Sequence, residues 1–483
     1  HKPRNIAPHD WHQSMPPAQS AVAETGMDAR WWSIFHDPTL NALEAEVVRA
    51  NLDLRAAAYR FAQSMAERRI ASAAQFPHAQ ANASYARERA STNGVLGLLG
   101  VMEQQGAGTI ASGTQGFGPT ALPGRVGNPS FNLPQYGMNA SWEVDFWGHV
   151  RRQVEAATAA MHATEDMRRD VLVSLMAETA QDYIELRGVQ ARIAIVEHNI
   201  DIAKHSVDLT TQRYAQGAAT RLDVADSTGQ LHTFESHLPV LKSQEIHLLN
   251  ALSFLVAREP GALTALLGAP AAIPPVPDAV PVGLPSELVD RRPDIRMAEE
   301  RLHAATANIG VAVADFFPRV TLSGSLDVQA LQFSGLGSWA SRQYGFGPTA
   351  TFPIFEGGRL TGQLRLRRAQ QKEAAIMLQR TILKAWQEVD DAMADFSAAQ
   401  GQRDRLAEAV AENQIAVDTA QAQYVLTMQN ALLATQSELV QATTHVSTSV
   451  ARLYRALGGG WETTFPLPPV RRGHPTQATS TGK

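Results

Sequence analysis

The segment WEVDFWG carries two acidic residues, Glu143 and Asp145, separated by a single position. Paired carboxylates can act as general acid and base on a substrate, or they can attract a cation. Because alternate residues of a strand project from the same face, we expect both side chains on one face of a strand. Two acids that line a water-filled space and favour cations account for the pair without catalysis.

A second pair of residues that could bind a metal ion is His198 and His205. They lie seven positions apart on a predicted helix, near Glu197 and Asp208. Solvent-exposed helix positions explain them more simply than a metal site does. The chain has no cysteine, and it contains none of the hydrolase, metalloprotease, P-loop or dinucleotide signatures. We therefore predict that the protein is not an enzyme and needs no metal or cofactor.

Composition and charge limit the kinds of partner that the chain is expected to bind. The net charge is −5, the isoelectric point is near 6.3 and no basic run stands out, so the sequence predicts no nucleic-acid binding. No stretch reaches the roughly 18 consecutive apolar residues that a membrane-spanning helix needs. With 483 residues, the chain is either two or three domains or one elongated repeat architecture.

The elements that carry these residues occur twice. Between the two copies, seven identities recur at an offset of 241 residues: Asp53/Asp294, Arg55/Arg296, Arg60/Arg301, Ala66/Ala307, Phe76/Phe317, Pro77/Pro318 and Ser84/Ser325. Further on, Tyr136 matches Tyr344 at an offset of 208, so the first copy has about 33 extra residues, which we place in the Gly-rich segment between Ser91 and Ser130. The pattern predicts a duplicated unit.

Each copy contains two segments in which apolar and polar residues alternate, as in VTLSGSLDVQ. We predict strands at about 78–90, 135–146, 319–330 and 343–354. An ordinary half-buried sheet and a transmembrane β-sheet both alternate in this way, but the length of the strands and the aromatic residues near their ends favour the membrane. Four strands are too few to close a barrel, so oligomerisation is expected. On this interpretation Glu143, Asp145 and Asp327 face the lumen.

The remainder of each copy is predicted to be helical, at about 148–257 and 359–457. Apolar residues recur every three or four positions, the pattern of a coiled-coil seam; they are Ile382, Trp386, Val389, Met393 and Phe396 in the second copy. The long helices turn at RYAQGAATRLDV and at QYVLTMQNALLA. Each copy is therefore a β-hairpin joined to a long helical hairpin.

Four segments, in this order, resemble the outer-membrane efflux ducts of the TolC type, and most closely their OprM/NodT lipoprotein branch. The segments are WWSIFHDPTLNALEAEVVRANLDLRAAAYR, LPSELVDRRPDIRMAEERL, FPIFEGGRL and LYRALGGGW. The likeness extends over residues 31–461, nearly the whole chain.

The resemblance implies a mixed fold of α-helices and transmembrane β-strands that forms a homotrimer. Twelve strands would form one barrel in outer-membrane lipid, continued by an α-helical barrel in the periplasm of a Gram-negative bacterium. It also implies a passive channel for drugs or toxic small molecules, which an inner-membrane pump delivers through a periplasmic adaptor protein. A duct for type I protein secretion and a non-membrane coiled-coil scaffold are the alternatives.

Family members meet the adaptor at the tips of their helical hairpins. The matching residues of the first tip are Tyr214, Gly217, Thr220, Leu222 and Asp223, and Tyr424 matches in the second copy. The resemblance makes Leu432 and Leu433 candidates for a periplasmic gate, and packing within a helix is the other interpretation. Ala434 and Ser437 stand where the family pattern has an Asp and an Arg, which puts the usual charged latch in doubt.

These observations predict five consecutive regions. They are an N-terminal extended segment (1–38), a first repeat (39–270), a Pro-rich linker (271–284), a second repeat (285–461) and a C-terminal tail (462–483). The lipoprotein branch often carries a lipidated cysteine at its mature N-terminus, and none is present in this sequence. We expect the cysteine to precede His1, to have been trimmed or replaced, or to be naturally absent.

Overall fold

The computed structural model describes residues 21–23, 28–89, 130–276, 279–281, 285–419 and 425–466. The enlarged loop predicted between Ser91 and Ser130 lies outside the described residues, apart from Ser130, and so does Tyr424. The chain divides into two units. A helical unit consists of the described parts of His1–Ala66, Ala157–Ala305 and Ala369–Lys483, and a strand unit of the described parts of Glu67–Ala156 and Thr306–Arg368.

The described chain has these strands: β1 (Ala21–Ala23), β2 (His78–Glu88), β3 (Phe131–Glu143), β4 (Ala279–Pro281), β5 (Arg319–Gln329) and β6 (Arg342–Thr351). In the helical unit, β1 and β4 form a short parallel pair. In the strand unit, the other four form an antiparallel sheet in the order β2-β3-β5-β6. The two β-hairpins, one from each repeat, therefore join through the β3–β5 pair.

The two faces of this sheet differ in polarity. Residues directly opposed in antiparallel neighbours lie on the same face, so the paired row Ala83, Tyr136, Val328 and Arg342 identifies one face. That face carries exposed large apolar residues, namely Tyr85, Tyr136, Met138, Leu322, Leu326, Tyr344 and Phe346. We call it the apolar face. The opposite, polar face is rich in Gln, Asn, Ser, Thr and Gly.

β3 begins and ends earlier than the 135–146 predicted from alternation. The predicted strand included Asp145, but the strand ends at Glu143 because the backbone turns here towards the next helix. The Asp145 carboxylate accepts a hydrogen bond from the backbone N–H of Arg151 at 2.8 Å. Asp145 therefore does not share a strand face with Glu143, which corrects the paired-carboxylate expectation.

The described α-helices are α1 (Pro38–Ala50), α2 (Leu52–Ala73), α3 (His149–Ala215), α4 (Arg221–Leu255), α5 (Thr264–Leu267), α6 (Pro285–Arg291), α7 (Pro293–Ala314), α8 (Arg359–Thr419) and α9 (Val425–Leu457). α4 continues through Pro239. None of the helices in the described ranges has both the length and the apolar run needed to span a bilayer.

The helical unit is organised around the predicted seams. In α3 the buried seam residues are Leu172, Met176, Thr179, Tyr183 and Leu186, and in α8 they are Ile382, Val389, Met393 and Phe396, with Trp386 half-buried beside them. Two aromatic residues from distant segments close this core: Trp31 stacks on Tyr454 with ring centroids 5.2 Å apart. The N-terminal and C-terminal segments of the chain thus contribute to one core.

The first residues of the predicted C-terminal tail pack on α3. Arg168 lies over the ring of Phe465 with its guanidinium carbon 3.9 Å from the centroid, and Arg169 donates to the Phe465 carbonyl at 3.3 Å. Arg169 also pairs with buried Asp166, which in turn accepts from Arg296 at 3.2 Å. Each of these charges is paired where it is removed from water, so loss of one partner would leave an uncompensated buried charge and destabilise the unit.

Candidate functional site

The turn between α3 and α4 collects five of the predicted tip residues. Gly217 has a φ of +72°, and its N–H donates to the carbonyl of Tyr214 at 3.0 Å. A Cβ added at Gly217 would meet no atom within 4 Å, so the left-handed backbone and not crowding requires glycine here. The chain reverses direction in five residues, 216–220.

α4 begins with a capping box. The Thr220 hydroxyl accepts from the N–H of Asp223 at 3.3 Å, and the Asp223 carboxylate accepts from the N–H of Thr220 at 2.7 Å. The hydrogen bonds that the Asp223 carboxylate accepts from the N–H of Thr220 and, at 2.8 Å, from the Thr220 hydroxyl hold the pKa of Asp223 below its usual range. Beside this rigid turn, Leu222 is 76% exposed and Tyr214 is 48% exposed. An apolar and an aromatic side chain are thereby presented to solvent on a fixed backbone.

The two leucines predicted as gate residues are buried inside the chain. Leu432 and Leu433 are each 7% exposed. Leu433 borders a small cavity with Asn199, Gln230 and Asn430, and the Asn199 side-chain oxygen has no hydrogen-bond partner. The packing interpretation therefore accounts for both leucines within one chain, and a gate function remains a prediction.

Of the predicted lumen-facing acids, Glu143 and Asp327 share the polar face of the sheet. Glu143 pairs with Thr321, and Asp327 pairs with Gly137. Thr321 and Asp327 are six residues apart on β5, about 20 Å at ~3.3 Å per residue. The two carboxylates therefore do not converge on a common point, and the sheet offers no acid–base pair.

A junction that the sequence did not predict lies where strands and helices meet. His149, the first residue of α3, lies 3.4 Å from Glu143 at the end of β3 and 3.4 Å from Asp315 after α7. Arg319, which begins β5, donates to Asp315 at 2.7 Å. No local pattern marks His149, because its partners come from both repeats.

Two tryptophans make contacts at the same junction, and one of them, Trp147, joins the two repeats. The indole N–H of Trp147 donates to the carbonyl of Pro318 at 3.0 Å, and its ring stacks on Phe317 at 4.8 Å. The indole N–H of Trp142 donates to the carbonyl of Gln75 at 3.0 Å. The second Phe-Pro segment is thus a contact point for Trp147, whereas in the first copy the bond from Trp142 goes to Gln75, the residue before Phe76.

The helical unit contains a polar cavity of about 510 Å³ beside α3, α8 and α9. Arg292 crosses it, donating to Asp294 at 2.7 Å, to Glu388 at 2.7 Å and to the Ala456 carbonyl at 2.6 Å. Burial, followed by repulsion from Asp294, raises the pKa of Asp170 on the cavity wall. These groups neutralise one another and present no nucleophile beside a base.

Among the described residues, no group of three or more His, Asp or Glu side chains could hold a metal ion. His198 and His205 are both exposed on α3. Their exposure agrees with the simpler of the two interpretations given for them. The features that remain are a sheet with two unlike faces, two long helical hairpins and an exposed helix turn.

A two-faced sheet joined to long helical hairpins defines a class of membrane channel, and comparison with known proteins gives the family. The chain matches the family described as Outer membrane efflux protein over residues 45–258 and 284–459. The chain belongs to this family. It is therefore an outer-membrane efflux channel of a Gram-negative bacterium and not an enzyme, as the resemblance predicted.

Individual members of the family are similar to this chain over most of its length. Outer membrane protein OprJ of Pseudomonas aeruginosa is 33% identical over 339 residues, covering 68% of this chain and 69% of OprJ. The probable efflux pump outer membrane protein TtgC of Pseudomonas putida is 32% identical over 470 residues, covering 92% and 87%. The solved outer-membrane channel OprN superposes with a TM-score of 0.81 at 29% identity, covering 95% of this chain and 99% of that one.

Proposed function

We propose that the chain is the passive exit channel of a tripartite efflux system. Three copies form a homotrimer in which twelve strands close one β-barrel in the outer membrane, and the long helices form the periplasmic part. An inner-membrane pump delivers drugs or other toxic small molecules through a periplasmic adaptor. The single observation that carries this proposal is the sheet, with an exposed apolar face on one side and a polar face on the other.

The stagger of the strands supports closure into a barrel. The paired row Ala83, Tyr136, Val328 and Arg342 crosses β2 at its sixth residue, in the middle of the strand. The same row crosses β6 at its first residue, at the end of the strand. A net stagger across the sheet is what the tilted strands of a barrel require. A flat sheet needs no such stagger.

The edges of the sheet support oligomerisation. β2 and β6 are the edge strands, and unpaired backbone groups cannot be left in lipid. Four strands are too few to close by themselves, since bacterial barrels have about eight or more. Pairing of β6 with β2 of another copy satisfies both edges at once and keeps every neighbour antiparallel.

The test compares one substitution on each face. Phe346→Arg places a charge near the middle of the apolar face, and Thr349→Arg places the same charge on the polar face. We expect the Phe346 variant to lose insertion into liposomes, because a midplane arginine on the lipid face costs about 2–4 kcal/mol. We expect the Thr349 variant to insert as a trimer, measured by light scattering, and to conduct with lower cation selectivity in a planar bilayer. Equal behaviour of the two variants would contradict the barrel.

The helix turn at 216–220 is the proposed adaptor contact. Leu222 and Tyr214 are exposed on a backbone held by the capping box, which suits docking by a partner of complementary shape. We expect Leu222→Asp to abolish drug export in cells while the purified trimer still conducts. Gly229→Asp on the same helix, where an added Cβ meets no atom within 4 Å, is the matched control and should export normally.

A further inference from the structure

The apolar face of the sheet carries charge at one end only. Its positions are the alternate residues 79–87 of β2, 132–142 of β3, 320–328 of β5 and 342–350 of β6, as the paired rows require. Within these four strands, the charged residues on that face are Arg87 and Arg342, and neither Asp nor Glu occurs there. The face is thus an uncharged band with arginines at its margin.

Both arginines lie at the end of the sheet opposite the strand ends that continue into helices. Arg87 is the last residue but one of β2, and Arg342 is the first residue of β6. The opposite strand ends connect to α2, α3, α7 and α8. Since the helices of this family are periplasmic, the arginine end of the sheet faces outwards, towards the outer leaflet.

The two guanidinium groups are exposed, and neither pairs with a carboxylate within the described part of the chain. Arg342 lies over the ring of Trp339, 3.7 Å from its centroid, and Arg87 donates to the Ser130 hydroxyl at 3.4 Å. A stacked guanidinium keeps its in-plane N–H donors free. Both groups are therefore held at the margin with donors that remain available.

Exposed aromatic residues surround them at the same end. Tyr85 precedes Arg87 by two positions on the apolar face, and Tyr344 follows Arg342 by two. Tyr85 also stacks on Phe333 with centroids 5.6 Å apart. Aromatic rings at the level of the headgroups, with arginines just beyond them, are the arrangement expected where a protein meets a charged lipid surface.

We propose that Arg87 and Arg342 bind the phosphate groups of lipid headgroups in the outer leaflet. The inference rests on the proposed trimeric barrel. Because β2 and β6 are the two edge strands, closure places Arg342 of one copy and Arg87 of the next at the same outer end of each seam, so each trimer has three such sites. A guanidinium donates two parallel hydrogen bonds to a phosphate, and a pair of them matches a doubly charged headgroup.

The experiment measures lipid binding to the detergent-purified trimer. The probes are diphosphoryl lipid A, the same lipid with its phosphates removed, and inorganic phosphate. The variant is Arg87→Gln with Arg342→Gln, and its partner Arg87→Lys with Arg342→Lys retains the charge. The control is Lys204→Gln with Arg405→Gln, which removes the same charge from exposed positions on α3 and α8.

We expect diphosphoryl lipid A to bind the native protein and the control about equally, and the glutamine variant about 10- to 30-fold more weakly. The lysine variant should fall between them, since lysine keeps the charge but loses the bidentate geometry. Lipid without phosphates should bind all four proteins alike, and inorganic phosphate should bind none of them measurably. Full affinity in the glutamine variant, or equal binding of both lipids by the native protein, would overturn the proposal.

Failure of the headgroup site can be distinguished from failure of the proposed trimeric barrel. Light scattering and single-channel conductance are recorded on the same samples. If the native protein is not a conducting trimer, the barrel itself is wrong. If the native protein and the glutamine variant both conduct as trimers and bind the phosphorylated lipid equally, only the headgroup site is wrong.

Discussion

Glu44 is a buried acid without a partner, and its replacement should stabilise the protein. It lies on α1 between Leu43 and Val47 in the core of the helical unit, with 0% of its surface exposed. Neither carboxylate oxygen has a hydrogen-bond partner. Burial raises the pKa of Glu44 well above the ordinary value of 4.5, because the apolar surroundings disfavour the charge.

The sign of the pH dependence follows from linkage. The folded state holds the Glu44 proton more tightly than the unfolded state does, so the contribution of Glu44 to stability is fully present below pH 4.5 and is lost as the pH rises towards the raised pKa. The loss is about 1.36 kcal/mol per pH unit. At pH 7 it reaches at most about 3 kcal/mol, because the unfolded carboxyl begins to ionise near 4.5.

The assay is thermal unfolding of the detergent-purified protein, followed by circular dichroism at 222 nm between pH 4.5 and 8. Glu44→Gln keeps the shape and removes the charge, and Glu44→Leu also removes the unpaired polar atoms. We expect both variants to melt above the native protein at pH 8, Leu more so than Gln. The gap between Glu44→Gln and the native protein should shrink as the pH falls towards 4.5.

Glu46, two residues after Glu44, provides a matched control for the pH dependence. Glu46 is on the same helix but only half-buried, and a hydrogen bond from Arg258 lowers its pKa. Its stabilising contribution is therefore present above pH 4.5 and disappears as the pH falls, the opposite sign. Glu46→Gln should lower the melting temperature slightly at neutral pH. A Glu44→Gln gap that does not change with pH, or that changes in the same direction as for Glu46, would refute the reasoning.

Three further predictions follow from single contacts. Thr220→Ala should cost about 1 kcal/mol and speed hydrogen exchange in the first turn of α4, whereas Thr220→Ser retains the cap and the native exchange rate. Asp182 has a pKa raised to about 6, by burial and then by Glu178 and Glu185, so the stability gained by Asp182→Asn should grow between pH 4 and 6 and level off above pH 7; a flat difference would contradict the raised pKa. Leu433→Ala should destabilise the chain by about 2–5 kcal/mol without raising the resting conductance, and a large conductance increase at unchanged melting temperature would favour the gate instead.

Local patterns could predict much of the fold. Alternation at Val320 to Val328 reports the two faces of a strand, and the three- and four-residue spacing from Ile382 to Phe396 reports a helix seam, because each depends only on the geometry of the backbone that carries it. The capping box at Thr220 and Asp223 is equally local. Such features are readable because their partners are a few positions away.

The candidate site was predicted less completely. Asp145 belongs to the alternating pattern but hydrogen-bonds to the N–H of Arg151, so the strand ends before it. Leu432 and Leu433 fit a gate or a packed helix by sequence, and their burial within the chain depends on which helices lie beside α9. His149 was missed because one of its two carboxylate partners, Asp315, comes from the other repeat.

The sequence by itself determined the duplication, the alternating strands, the helical hairpins and the family, since each is a matter of periodicity or of ordered motifs along the chain. Only the tertiary structure decided that Glu44 is buried without a partner, that Phe317 and Pro318 contact Trp147, and that Arg87 and Arg342 share one face at one end of the sheet. The physical reason is that these properties depend on strand register and on the packing of residues up to hundreds of positions apart, which no local period encodes.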